Sequence, residues 1–353
     1  MKLAPTLIRP CAASMVAPLA ALYVLLVFPV ANAEEIASKK FLQHSQVIGS
    51  NKCIECHESE IEAWQGSQHF ANKDLHQNEK AAEIARNMGI SSPAKIRTSG
   101  LCTQCHYTVQ KMGSAPAKVI DGVSCESCHG GGKDWLDLHN TGDRRESDDS
   151  ASTRSERVAA AAGAGMIYPD AIHKVAANCY SCHIITNEDL VNKGGHPVGS
   201  DEFELVSWLK GEVRHNFFES KGETNADTPI DRQRQLFVVG KVLEMEYSLR
   251  GLARAKEKAD YGNAMGRRCG ATRKELDQIV EALGADTPPE LKKIQETVSV
   301  PGLLKFFNAE PLNAAADTLE ELLGQLVENN DGSSFGAIDA MIPKEGKGSS
   351  YHP

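Results

Sequence analysis

Aromatic side chains are scarce here: Phe, Trp and Tyr make up 6% of 353 residues. A conventional core of that size would be short of ring surface, so large apolar groups from outside the chain are needed to fill it. Long apolar runs are missing as well. Beyond the first 33 residues none is long and apolar enough to span a bilayer. Positive charge is not in excess, since 38 Lys and Arg against 47 Asp and Glu give a formal charge of −9, which argues against nucleic acid as a partner. Nor can the ten cysteines build a disulfide framework. Eight belong to one repeated motif, Cys11 lies near the N-terminus, and Cys269 is left alone as a spectator thiol.

Residues 1–33 read as a secretory signal. Lys2 and Arg9 precede an apolar run beginning at Leu19, and Ala31-Asn32-Ala33 is an Ala-x-Ala cleavage site. Pro18 and Pro29 bracket about ten apolar residues, too few to cross a bilayer as one helix. The expectation is therefore a periplasmic protein, membrane-attached only if this segment is retained as an anchor. Removing Lys2 and Arg9 takes the charge from −9 to −11. An acidic surface of that kind allows docking to a basic patch on a redox partner, and solubility alone explains it equally well.

What the chain has is one pentapeptide, four times over: Cys53-Ile-Glu-Cys56-His57, Cys102-Thr-Gln-Cys105-His106, Cys125-Glu-Ser-Cys128-His129 and Cys179-Tyr-Ser-Cys182-His183. Cys-x-x-Cys-His is the attachment signature of c-type haem. Cysteines three apart share one face of a helical turn, so both sulfurs reach the vinyl groups of one porphyrin. The next residue then supplies the proximal imidazole to iron. Zinc would give no reason for a His after every second Cys, and a redox dithiol needs only one Cys pair. The cofactors expected are four covalently attached haem c groups.

The fold expected is mainly α: a multihaem cytochrome c domain over 34–220 wrapped around four haems, then a helical subdomain over 221–330 and a disordered tail over 331–353. Helices are expected at 59–70 and 78–90, and a short hairpin between 107 and 120. Gly130-Gly131-Gly132 is read as a place where backbone passes close to a porphyrin. Residues 141–156 are charged and poor in apolar groups, so a solvated loop is expected there, followed by a short Ala-rich helix at 158–165. Past residue 220, Val238, Val242, Met245, Leu249 and Leu252 form one helical stripe, and Leu236, Val239, Leu243 and Tyr247 a second. Thr272 to Glu275 reads as a capping box opening a helix at 276–283, Pro288-Pro289 opens another through Val298, and 312–328 supplies a last one.

These residues resemble the tetrahaem cytochrome c-554 family. The resemblance rests on the four motifs in order, Trp64 followed by His69, the run Gly122 to Gly131 around the third motif, His139 ten residues after it, and His173 ahead of the fourth. It covers about residues 45–220, and Gly130-Gly131-Gly132 departs from the family's usual Gly-Pro-Gly. It implies a mostly helical, exported electron carrier with closely stacked haem pairs. By that analogy His139 is distal ligand to the first haem and His69 to the third, and some members leave the second haem five-coordinate. The chain itself agrees that His69 cannot serve the iron of His57, because twelve helical residues rise about 18 Å.

His173, His196 and His215 complete the set of distal candidates, whereas His44, His76 and His352 read as spectators. Met112, Met166 and Met245 read as packing residues. Two functions remain. One is a relay of single electrons between periplasmic or membrane redox partners, a donor protein and an acceptor protein. The other is a multihaem oxidoreductase with one five-coordinate haem acting on a small nitrogen compound. No acid–base constellation singles out a catalytic pocket, which favours the carrier over the enzyme.

Overall fold

The computed structural model describes Met1 and residues 42–140, 150–199, 203–348 and 350–352. Residues 2–33 of the expected leader and the first part of the charged stretch, 141–149, lie outside the described residues. Residues 38–353 form one compact unit.

The chain is mainly helical. Its first half is a succession of short helices, α1 Glu58–Gln65, α2 Gln68–Ala71, α3 Glu79–Asn87 and α4 Gly100–His106. A two-stranded antiparallel sheet follows, with β1 Thr108–Gln110 paired to β2 Lys118–Asp121. Then come α5 Cys125–His129, α6 Leu136–His139, α7 Ala151–Gly163, α8 Ile172–His183, α9 Glu188–Asn192 and α10 Leu205–Lys210. Long helices close the chain: α11 Ile230–Arg254, α12 Asp260–Leu283, α13 Pro289–Val298 and α14 Ala309–Asn329.

Local chemistry accounts for several boundaries. Glu58 and Glu60 occupy the first turn of α1, where carboxylates favour the helix dipole. That helix ends at Gly66, and the Ser67 hydroxyl accepts from Phe70 N at 3.2 Å to start α2, so the helix expected at 59–70 is two. The Asn78 side chain caps α3 by accepting from Ala81 N at 3.1 Å. Ser150 caps α7 in the same way, accepting from Thr153 N at 3.2 Å. The residues from 151 on are therefore helix, not the solvated loop expected through 156. The capping box at 272–275 opens nothing either, because α12 runs straight through it. Thr272 is only 1% exposed there, and burial of Cys269 and Leu276 on the same helix overrides the local signal.

A small core of Ala85, Ile96, Tyr107, Val109 and Val119 lies under α3, α4 and the hairpin. The large core joins α8 and the 190–206 segment to all four long helices. In it α11 is buried on both stripes, from Leu236 and Val238 through Leu249 and Leu252. Tyr247 of α11 donates to the Ala177 carbonyl of α8 at 3.1 Å, tying the helix of the fourth motif to the bundle. Cys269 is fully buried, and burial pushes its thiol up to about 12.

The segment from 331 on is not the disordered tail expected from its composition. Ser333–Met341 forms 3₁₀ turns, with Phe335, Ile338 and Ile342 buried in the large core. Three apolar anchors outweigh the surrounding Gly and Ser.

Candidate haem-binding site

Each Cys-x-x-Cys-His sits in helical turns. The first is a turn in which His57 N donates to Cys53 O at 3.0 Å, the second ends α4, the third is α5, and the fourth ends α8. Both thiols of a motif therefore share a face, and the histidine closes the turn.

Opposite every motif histidine stands a second imidazole. His57 faces His139 with ring centroids 6.3 Å apart, and His106–His196, His129–His215 and His183–His69 are each at 6.2 Å. A metal ion held trans between two imidazole nitrogens, at about 2 Å per bond, separates the ring centroids by about 6 Å. The spacing of all four pairs fits an iron between them. Ring planes are near-parallel for His57–His139, at 19°, and near-perpendicular for His129–His215, at 85°.

In five of these eight histidines the other ring nitrogen is engaged as a ligating histidine requires. Nδ1 lies 2.9 Å from Ile167 O in His129, 2.6 Å from Leu136 O in His139, 2.7 Å from Pro197 O in His196 and 2.7 Å from Val213 O in His215. In His106 it is 3.3 Å from Asn72 Oδ1. A carbonyl acceptor fixes the proton on Nδ1 and leaves the Nε2 lone pair free for metal. Burial lowers the pKa of His57 and His69, and burial with the neighbouring imidazoles lowers that of His129 to about 4, so the neutral, ligating form prevails.

Contacts between motifs set their order in space. The thiols of Cys53 and Cys125 lie within hydrogen-bonding reach of each other, joining the first motif to the third. Asn178 of α8 donates to Ser127 O at 2.7 Å, joining third to fourth. His69, opposite His183, is three residues from the Asn72 that holds His106, joining fourth to second.

Two expectations need correction. His69 faces the histidine of the fourth motif, not that of the third as the family likeness implied. His173 is brought to none of the four pairs. It lies at the start of the helix that ends in His183, about 15 Å along the axis, and its electrostatic neighbours are Glu320 of α14 and Lys174. His196 and His215, left open by sequence, each oppose a motif histidine. The glycine triplet is crowded by protein chain: a Cβ on Gly131 would meet Gln46, and one on Gly132 would meet Ile48.

Two supporting residues were not singled out from sequence. Glu126, inside the third motif and 1% exposed, accepts from the backbone N–H groups of Ile48, Gly49 and Gly132 at 2.9, 2.8 and 2.7 Å. Its position between two cysteines carried no signal of this. Gly122 packs directly on the backbone of α2, and Val123 N donates to His69 O at 2.9 Å. Trp64 Nε1 donates to Val123 O at 2.7 Å, which completes the clamp on His69.

Helical Cys-x-x-Cys-His turns with a second imidazole across from each are the makings of a c-type cytochrome, with haem c held covalently. Residues 52–130 match the family described as cytochrome c554 and c-prime. The chain is also 31% identical over 102 residues to cytochrome c-554 of Nitrosomonas europaea, an alignment covering 26% of this chain and 41% of that protein. The likeness to the cytochrome c-554 family thus extends over residues 52–130. The chain covers about two-fifths of the length of that relative. No solved structure matches.

Proposed function

We propose that this protein carries four covalent haems, each between two histidines, and relays single electrons between redox proteins outside the cytoplasm. The pairs are His57 with His139, His106 with His196, His129 with His215, and His183 with His69. The carrying observation is that all four motif histidines, not three, have an imidazole opposite at 6.2–6.3 Å.

Haem c supplies one-electron chemistry at iron when bound. The chain's own part is to hold both imidazoles of each pair in the neutral tautomer and to keep that geometry fixed. Pre-set ligands reorganise little when charge changes, which suits a carrier. The contacts between motifs support the order second, fourth, third, first for the path of electrons. In the enzyme reading the second haem was the open one, and His196 stands opposite its motif histidine.

The test is EPR of the oxidised protein with carbon monoxide added to the reduced protein. Four low-spin haems per chain and no carbon monoxide adduct are expected. A high-spin signal of one haem in four, with rapid adduct formation, would refute the relay.

A further inference from the structure

Charge is unevenly placed along the proposed path. From Ile84 to Ile120 there is no Asp or Glu, although the chain has 47 of them. The same stretch holds Arg86, Lys95, Arg97, Lys111 and Lys118, and it contains the second motif. Arg86, Lys95, Lys111 and Lys118 are exposed, and between the two hairpin lysines Met112 is 68% exposed. Arg86 precedes Asn87, which donates to Gly194 O at 3.1 Å, beside the His196 that faces His106. Lys95 lies on the 3₁₀ turns Pro93–Thr98, which pack against α4. The other end of the path is richer in acid. Around His57 and His139 stand Glu55, Glu58, Glu60, Glu62 and Asp137 in sequence, against Lys52 and against Arg157, whose Nη1 donates to His139 O at 2.7 Å.

We propose that the basic stretch around the second motif, with Arg86 on the helix that reaches the His196 loop and Lys95 on the turns against α4, outnumbering the exposed Asp74 and Glu83 at its edge, is the docking surface for an acidic redox protein. A positive patch on a net-negative protein orients an encounter. It attracts an acidic partner at one end of the path while the remaining surface repels it. The exposed Met112, next to Lys111 on the hairpin loop, adds an apolar side chain to the basic stretch, as transient interfaces combine the two. This inference rests on the relay reading, since docking there is useful only if the second haem is an entry or exit point.

The experiment is stopped-flow reduction of the holoprotein by a plant-type [2Fe–2S] ferredoxin, an acidic one-electron donor, over a range of ionic strengths. The Arg86→Glu/Lys95→Glu variant is compared with Lys292→Glu/Lys293→Glu, which makes the same charge change on exposed positions of α13. The parent rate should fall as salt rises. At low salt the first variant should be slower by about tenfold and the control by less than twofold, with the gap closing once the screening length is a few ångströms. Equal slowing of the two variants, or a parent rate that rises with salt as net charge alone dictates, would overturn the proposal. Dithionite titration and the low-spin spectrum separate the two readings. If every haem is low-spin and reducible but ferredoxin shows no preference for this face, the docking surface is wrong and the relay stands. If Arg86→Glu/Lys95→Glu does not assemble with haem, the salt dependence of the parent decides alone.

Discussion

Replacing Gly122 with Ala should remove one haem's distal ligand without touching any haem motif. A Cβ at this position would lie 2.8 Å from Phe70 O and 2.9 Å from Lys73 N, and closer still to His69 O. All three atoms belong to backbone around α2, so no flexible side chain can swing aside. Ordinary contact is beyond 3.4 Å, so α2 or the 122–123 strand end must give way by half an ångström or more. Metal–ligand distances tolerate about 0.2 Å. Overpacking of this kind costs about 1–3 kcal/mol, and the cheapest relief is to push His69 back from His183. The expected result is four covalent haems by pyridine haemochrome, with one of the four changed from low to high spin in EPR and newly open to carbon monoxide. A fully low-spin spectrum in Gly122→Ala would refute the reasoning that this glycine positions His69.

Replacing His196 with Ala should turn one haem high-spin at unchanged haem content, whereas His173→Ala should leave the spectrum as in the parent; the reverse outcome would overturn the pairing. Deleting residues 344–353 should loosen the segment that presents His215, because Lys347 O accepts from Glu212 N at 2.9 Å and Tyr351 O accepts from Asn225 Nδ2 at 2.9 Å; a partial high-spin signal checks this. Burial holds Glu246, 2% exposed, up at about 7 although Arg250 Nε donates to it at 3.0 Å. The folded carboxyl thus keeps its proton longer than the unfolded one. Its stabilisation is complete below the ordinary Glu range and is lost as pH rises through 7. Glu246→Gln should flatten that fall between pH 5 and 8, by at most about 3 kcal/mol, and parallel denaturation profiles for parent and variant would contradict it.

The attachment residues were legible because covalent chemistry dictates a fixed local spacing. Distal partners were not, since an imidazole across an iron comes from chain far away in sequence, and no local pattern encodes which pair will meet. His139 was matched to the first motif through the family likeness. The assignment of His69 to the third motif came from the family likeness, whereas in the structure His69 stands opposite His183 of the fourth. His173 misled because a histidine near a motif in sequence can be a helix length away in space. The tail went unread for another reason: Phe335, Ile338 and Ile342 are too few among Gly and Ser to give a periodic signal, yet each has a place in the core.

The crossed pairing has a consequence for how the molecule assembles. His139 follows the third motif but faces the first, His69 follows the first but faces the fourth, and His196 and His215 follow the fourth but face the second and third. No motif has its second imidazole nearby in the chain. Each iron–histidine bond made across a pair would therefore close a long loop, and closing long loops costs entropy that only a nearly complete fold can offset. Metal binding that needs a folded site is also folding free energy. The chain thus couples the four sites to one another and, through α8 and Tyr247, to the long helices. Loss of one distal histidine should then lower the denaturation midpoint of the whole compact unit and not merely alter one spectrum.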